Sequence, residues 1–583
     1  MVRQVSANLS SLLGLSPQEV LGRSFETVVG TQSFEAFQSQ IRAEDFLSPS
    51  LLQLSVKSSG SEMQCVAHRH DGMLIVELEP APEPVPLDPL GFDTHIRRPL
   101  ARIRAASDVQ ELARVTAIEV RRISGFERVM IYRFDPEWNG EVMAEAVGPS
   151  LVSYLGLRYP ASDIPSQARQ LFLLNCIRTI VDVDATQVPI VPEAGPGPGP
   201  GAGAGAGRPL DLTYSVLRSA SPIHLEYLRN MAVKSSLTIS LVVEGHLWGM
   251  IACHHHEPRP VSHLIRSICE NIGQAVAAQA AMLVDIAGLK LLLKSRILID
   301  RAMVGMETSE SLAGAIRSQG ARFLDLFGAD GIVSLIDGVQ SSRGVILETD
   351  RLATVIERLR KSAAGGVASS DEIGKLDPGL AAWANEVSGV LYIGLFHPGK
   401  AAQSENYLVF SRREFVESIA WAGNPNKALL ADEHDRLHPR TSFEEWRQIK
   451  RGVSRPWTEI EIKSAILLRD RILRLRDARE LASLTDSLAA RLSELRRAEV
   501  DLKIASQKAK DATDAAEAAR RTMNEFDAMS RDVRKPASSI IAMTKLLLDT
   551  DLTDQQRRYA ENMRANGESL LMLIDNLLES DSD

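Results

Sequence analysis

The sequence predicts a multi-domain α/β protein: antiparallel-sheet domains joined by long helices, followed by a coiled coil and a helical hairpin. Three observations carry this. Short alternating strands joined by tight turns recur in blocks as far as residue 455. From Glu459 to Met529 the chain has neither Gly nor Pro, and Leu481, Leu488, Leu495 and Leu502 recur every seven residues with Leu484, Ala498 and Ala505 beside them, a parallel-dimer coiled-coil signal. Beyond it, Ser539–Thr550 and Thr553–Ser580 read as two helices with apolar faces (Ile540, Ile541, Met543, Leu546 and Leu547 against Leu570, Leu571, Leu573, Ile574 and Leu577), suited to a four-helix bundle in a dimer.

Composition narrows the class. A chain of 583 residues has room for roughly three to five domains. Hydrophobic content of 44% and charged content of 24% are ordinary for globular protein, and a net charge of −9 excludes a general nucleic-acid binder. No uninterrupted apolar run approaches the ~18 residues of a membrane span, and the N-terminus lacks a signal-peptide plan, so a cytoplasmic protein with no membrane partner is expected. Cys65, Cys176, Cys253 and Cys269 have no CxxC spacing, which indicates neither a zinc site nor a disulfide framework.

Residues 1–80 read as a small α/β domain. Helices near Ala7–Leu13 and Ser16–Val20 lead to strands Leu52–Lys57, Met63–His68 and Met73–Leu78. A stiff Pro-rich linker occupies 81–94. The domain over 95–285 pairs Val129–Phe134 with Glu141–Val147, and Ser236–Val243 with Leu247–His254 across a Glu-Gly turn. Its Gly/Pro/Ala tract, Gly195–Gly207, cannot pack a core and reads as a surface loop. A helix from Ser262 to Met306 contains a connector at 286–310. A second α/β domain over 311–470 carries strands Gly331–Ile336, Val390–Phe396 and Tyr407–Phe410. The coiled coil spans 471–528 and the hairpin 529–583.

Four stretches carry chemistry. Ser221-Pro-Ile-His-Leu-Glu-Tyr-Leu-Arg-Asn-Met231 predicts a short helix with Ile223, Tyr227 and Met231 on one stripe and His224 beside it, a wall for an apolar pocket that still hydrogen-bonds its ligand. Tyr159-Pro-Ala-Ser-Asp-Ile-Pro165 is a double-proline turn presenting one carboxylate. His254, His255 and His256 end a strand, and three adjacent histidines read as a solvated strand end rather than a metal site. Pro439-Arg-Thr-Ser-Phe443 accompanies Trp457-Thr-Glu-Ile-Glu461.

In this order the motifs closely resemble the photosensory core of bacterial phytochromes: a PAS domain, a GAF domain, a PHY domain and a histidine-kinase-type dimerisation hairpin. The resemblance implies a linear tetrapyrrole, biliverdin, in the GAF pocket. It places Asp163, His224 and His254 at the pigment's polar groups. Tyr132, Tyr159, Phe172 and Tyr227 would box the rotating ring, with Phe172 where a tyrosine is common. Arg178 and Arg218 match the propionate-clamping arginines, Ser236 and Thr238 the nearby hydroxyls, and Ser221 opens the pocket motif. Arg440, Ser442 and Trp457 fall in a tongue near 435–461, where Arg440 would pair with Asp163 in one state and Ser442 replace it in the other.

Three departures qualify the match. The upstream cysteine and the IQPHG-type strand are absent, Ile223 stands at the alternative attachment position, and non-covalent binding is expected. A start site called downstream or a trimmed chain accounts for the first absence equally well. Arg531-Asp532 stand where the family has His-Glu, and an arginine is no nucleophile toward ATP. No Gly-rich ATP lid follows before Asp583, so the expectation is that the chain is not an enzyme. The resulting reading is a dimeric photoreceptor that signals conformationally to a partner protein. The alternatives are a light-independent scaffold, or a kinase working with a separate ATP-binding subunit.

Overall fold

The computed structural model describes residues 1–43, 50–55, 62–80, 89–192, 209–363, 365–397, 406–425, 439–492 and 500–579. They form two compact units, Met1–Leu283 with Ala420–Trp446, and Val284–Ile419 with Arg447–Asp583.

In the first unit, helices Leu9–Leu13, Pro17–Val20, Glu26–Val29 and Thr31–Ala43 accompany a three-stranded antiparallel sheet of Ser50–Ser55, Glu62–His70 and Met73–Pro80. Asp71 (φ 47°) and Gly72 (φ 72°) supply the left-handed pair that a two-residue hairpin turn needs. Leu9, Leu13, Phe37, Met63 and Cys65 form the core. Residues 81–88 of the Pro-rich linker lie outside the described residues.

The second sheet of this unit holds the site. Its strands lie in the order Glu445–Lys450, Glu417–Ala422, Arg158–Tyr159, Gly140–Val147, Arg128–Phe134, His246–His255, Ser235–Val243 and Ile177–Ile180. The pairing Ser236↔His254, Thr238↔Arg178, His254↔Arg128 and Met250↔Tyr132 is antiparallel. Because strand side chains alternate, this register gathers Arg178, Ser236, Thr238, His254, Arg128 and Tyr132 on one face. The other face supplies Val129, Ile131, Leu237, Ile239, Ile251 and Cys253 to a core with helix Val109–Ser124. That helix starts at Asp108, whose carboxylate accepts from Glu111 N, and stops at Gly125 (φ 69°).

The Gly195–Gly207 tract lies outside the described residues. At its base, Ile190–Val191 pairs antiparallel with Val5–Ser6, and Gln4 Nε2 donates to Pro192 O at 3.0 Å. The N-terminal strand therefore reaches the loop that the tract interrupts.

Helix His263–Glu307 is, by length and composition alone, long and apolar enough to cross a bilayer, although Glu270, Asp285, Lys290 and Lys294 interrupt its apolar run. Ile268, Ile272, Val276 and Leu283 enter the first unit's core, while Ile299, Met303 and Met306 enter the second's. Between them Val284, Leu291, Leu293 and Ile297 are exposed.

The second unit has a five-stranded antiparallel sheet in the order Val339–Gly344, Gly331–Ile336, Tyr407–Arg412, Gly389–Gly394, Val367–Ser370. Alternation again divides its strands. Leu391 and Ile393 join Phe323, Phe410 and Leu468 on one side, while Val390 and Tyr392 join Leu352 and Val355 on the other.

Trp457 departs from the tongue assignment. It is buried in the second unit's core, with the Arg412 guanidinium 3.7 Å from its ring centroid and its backbone N–H donating to Asp371 Oδ1 at 2.8 Å. It packs as the entry to helix Glu459–Leu492, because a buried indole beside a fixed guanidinium is worth more there than in a surface hairpin. The described hairpin strands are Glu417–Ala422 and Glu445–Lys450.

The C-terminal helices are Glu459–Leu492, Val500–Leu548 and Asp554–Glu579. Leu481, Leu484 and Leu488 are 53–55% exposed on the single chain. The side chains of Leu495, Ala498, Leu502, Ala505 and Leu577 lie outside the described residues. The first hairpin helix does not begin at Ser539; it continues a longer helix through Pro536. The two hairpin helices bury Ala537, Thr544, Ala560 and Gly567, where a Cβ on Gly567 would meet Ile541 at 2.6 Å. Small residues allow this close approach, and Met543, Leu546 and Leu573 are left 59–69% exposed.

Candidate pigment-binding site

Asp163 anchors the site. Pro160 and Pro165 bracket a single 3-10 turn, Ala161–Asp163, closed by Asp163 N on Pro160 O at 3.0 Å. The Asp163 side chain, 8% exposed, meets Arg440 Nη2 at 2.9 Å through Oδ1 and accepts from Tyr227 Oη at 3.1 Å through Oδ2. Burial pushes its carboxyl up to about 6, opposed by the Arg440 charge and the Tyr227 hydroxyl. Arg440 also donates to Ala422 O, and its own carbonyl accepts from Asn230 Nδ2 at 3.0 Å. Phe443 meets the Tyr227 ring edge-on with centroids 5.0 Å apart. Ser442 is exposed, and its carbonyl lies where a Cβ on Gly423 (φ 83°) would collide at 2.3 Å.

Helix Pro222–Asn230 supplies the second wall. Ser221 is its N-cap residue, with no side-chain hydrogen bond, and Pro222 occupies its first turn. Leu225 and Leu228 face a small core with Val183 and Val233. His224 stacks near Tyr227 at 6.3 Å and 15°. Ringed by protein yet with accessible surface of its own, the His224 imidazole is lowered to about 4 by burial and then by the Arg178 charge. Ile223 is 43% exposed.

The sheet supplies the third wall. Tyr132 packs against Tyr159 at 5.8 Å, and burial pushes both phenols well above their ordinary value. Gly140 makes room for Tyr132: a Cβ there would lie 1.6 Å from the ring. Burial, then Arg128 and His224, hold the His254 imidazole down to about 3. Arg178 lies over the Phe172 ring at 4.4 Å and is lowered to about 10 by burial and by Arg218. Arg218 Nη1 donates to Leu212 O at 3.2 Å and Thr213 O at 3.1 Å.

Several buried polar atoms here have no hydrogen-bond partner among the described residues: Arg178 Nε and Nη2, His254 Nδ1 and Tyr159 Oη. Buried donors and acceptors are rarely left so without a ligand or water to meet them. A ligand with carboxylates for the arginines and polar ring edges for His254 fits this donor set.

Sequence reasoning missed the brace behind this wall. Arg128 and Glu145 are both nearly buried and 3.1 Å apart, Arg128 covers the Tyr154 ring at 3.8 Å, and Glu145 accepts from Ser153 Oγ and from Tyr154 N. Strand alternation placed both residues inward, but charge alone gave no sign that they were paired.

Family models match the chain in a string: a PAS fold over residues 1–81, a GAF domain over 108–284, the phytochrome region over 296–480 and a His Kinase A phospho-acceptor domain over 523–582. The phytochrome-like protein Cph1 of Synechocystis sp. is 34% identical over 509 residues, covering 85% of this chain and 66% of that protein. A bacteriophytochrome of Xanthomonas campestris is 34% identical over 442 residues, covering 74% and 66%. The chain thus spans about two thirds of the length of these relatives. Among solved structures, the photosensory core module of the Stigmatella aurantiaca phytochrome aligns with a TM-score of 0.68 and 34% identity, covering 81% of this chain and 92% of that one. A bacteriophytochrome from R. palustris aligns with a TM-score of 0.72 and 29% identity, covering 82% and 93%.

The phospho-acceptor match overturns the expectation that the chain is no enzyme. Residues 523–582, Arg531 and Asp532 included, match the phospho-acceptor domain, which points to kinase-family membership despite the substituted Arg531-Asp532 pair and the missing Gly-rich lid on which the expectation rested. With a shared domain string, and with 34% identity to a phytochrome core of which it covers 92%, the chain belongs to the phytochrome family in its bacterial form.

Proposed function

We propose that the chain is a red/far-red photoreceptor whose GAF pocket binds a linear tetrapyrrole, biliverdin, without a covalent bond to this chain. The observation that carries this reading is the unpartnered Arg178 guanidinium beside Arg218, on the same sheet face as unpartnered His254. When bound, the tetrapyrrole supplies absorption of red and far-red light. Arg178 and Arg218 hold its carboxylates by charge-assisted hydrogen bonds, with Ser236 and Thr238 beside them. His224 and His254 hold its polar ring edges, and Tyr132, Tyr159, Phe172 and Tyr227 shape the apolar enclosure. Non-covalent binding rests on the thiols: Cys65, Cys253 and Cys269 are core residues and Cys176 is half-buried, burial holds all four thiols protonated, and Ile223 stands before His224.

Asp163 holds Arg440 in one state and Ser442 in the other, and the hairpin's rearrangement is the signal passed along the chain to a partner protein. The chain acts as a homodimer joined through Leu481, Leu484 and Leu488 of the coiled coil and through the exposed face of the C-terminal hairpin. Four free cysteines suit a reducing compartment, the cytoplasm.

The test is production of the chain together with biliverdin, followed by absorbance and illumination. A red/far-red band with a reversible difference spectrum is expected, and Arg178→Met lowers pigment loading at least about tenfold. Absence of any band in the wild-type chain, or undiminished loading in Arg178→Met, refutes the reading.

A further inference from the structure

Beyond the pocket, one cluster of ligating side chains remains unused. The strand pairing His254↔Arg128, continued one step, sets His255 opposite Glu127. Alternation turns His255 to the face away from His254, where its ring meets Phe126 edge-on at 6.1 Å. His255 Nε2 stands 3.9 Å from Glu127 Oε1, and His256 Nδ1 contacts Glu127 Oε2. The His255 and His256 rings stack at 5.4 Å and 8°. One donor atom from each of the three residues lies within 4.8 Å of the others.

We propose that Glu127, His255 and His256 form a binding site for a divalent transition-metal ion of the Zn2+ or Cu2+ class. Two imidazoles and one carboxylate suit these ions and disfavour Mg2+ or Ca2+, which take oxygen donors. Donors bonded at about 2.1 Å in a tetrahedral site stand about 3.4 Å apart, so the His255–Glu127 pair has to close by about half an ångström. His256 Nδ1, in contact with Glu127 Oε2, has to draw back to admit the ion, a movement its exposed ring allows.

The surroundings prepare the site. The Glu257 backbone N–H donates to His255 Nδ1 at 3.1 Å, which fixes the ring and leaves its proton on Nε2, facing Glu127; an ion there takes the place of that proton. The backbone under Glu127 is fixed, its carbonyl accepting from Gly148 N at 2.9 Å and from Arg121 Nε at 3.0 Å. His255 O accepts from Lys234 N at 2.9 Å. Among the described residues the cationic groups acting on Glu127 are these two histidines, with no Lys or Arg side chain paired to it. An ion would therefore meet a carboxylate that no permanent charge neutralises. Three protein donors leave further positions to water, as in an open site. The ion would clasp the end of the strand that carries His254 to the start of its neighbour, on the face opposite the pocket.

The test uses the full chain, free of any affinity tag and stripped with chelator. Equilibrium dialysis should find a saturable Zn2+ site that excess Mg2+ does not displace. Glu127→Gln and His256→Asn, both at accessible positions, should each weaken it at least about tenfold while leaving the circular dichroism spectrum unchanged. Electron paramagnetic resonance of Cu2+-loaded chain should show coupling to two imidazole nitrogens. Zn2+ binding that both variants leave intact, Cu2+ coupled to fewer than two nitrogens, or no saturable binding overturns the proposal and leaves a carboxylate–histidine hydrogen bond in its place.

Discussion

Removing the Arg440 guanidinium is the sharpest perturbation of the hairpin that the structure offers. Arg440 and Asp163 are 14% and 8% exposed and 2.9 Å apart, so Arg440→Ala leaves a buried carboxylate without its cation. Breaking such a pair costs roughly 3–5 kcal/mol, whereas the intact pair itself contributes little net stability. Divided by 1.36 kcal/mol per decade, that is about two to four decades in the equilibrium between docked and released hairpin. The same change removes the Arg440 contact to Ala422 O, which ties the two hairpin arms to each other. Hydrogen exchange of the amides in 420–425 and 439–446 reads this directly, because exchange there reports local opening. Arg440→Ala should speed it by at least about a hundredfold at pH 7.5. Asp163→Asn should partly rescue Arg440→Ala, since the penalty comes from the stranded charge and the amide carries none. Exchange within about threefold of wild type in Arg440→Ala, or no coupling in the double variant, refutes the reasoning.

Three further outcomes follow from the pocket. His254 has a folded value of about 3 against an ordinary 6.5, so its contribution to stability is complete above pH 6.5 and is lost as pH falls toward 3. That contribution is at most roughly 5 kcal/mol, and the urea midpoint of pigment-free His254→Gln should fall less than wild type between pH 7 and pH 4. Gly140→Ala drives a methyl into the Tyr132 ring, which should cost about 1–3 kcal/mol in thermal unfolding, and that cost should vanish when the same change is made in a Tyr132→Ala background. Arg178→Met removes a buried guanidinium with unpartnered nitrogens; pigment-free chain should be no less stable than wild type, by about 0–2 kcal/mol, even as pigment loading falls.

The sequence was most legible where apolar runs and turn chemistry agreed. Met73–Pro80 and Gly331–Ile336 carry short apolar runs with β-branched residues, and the hairpin turns use Asp71-Gly72 and Glu244-Gly245, all four residues at positive φ. The short strands Arg158–Tyr159 and Ile177–Ile180 were missed, since two to four residues carry no measurable period. Trp457 was misplaced because motif proximity was taken for spatial proximity, although nothing local reveals that Arg412 waits in the core to cover its ring. The exposed faces of the hairpin helices show the opposite problem. Leu546 and Leu573 are apolar as expected, but the described chain buries Ala537 and Gly567 in their stead and leaves the leucines exposed.

Helix Pro222–Asn230 shows why a stripe alone cannot say which side is the site. Ile223, Tyr227 and Met231 share one helical stripe, yet Ile223 is exposed while Leu225 and Leu228 are the buried anchors. A helix set between a small core and a cavity has two covered faces, and apolar periodicity marks the core side more strongly than the cavity side. The cavity side is marked instead by polar groups: Tyr227, whose hydroxyl is held by Asp163, and the exposed His224 beside it. Asp163 in turn needs Arg440, and Arg440 needs the Ala422 and Asn230 backbone and side-chain contacts that fold the hairpin beside the pocket. One chain of polar satisfaction therefore runs from the pocket wall to the hairpin. Any change that removes the Tyr227 hydroxyl or the Asp163 charge alters what the Arg440 guanidinium meets.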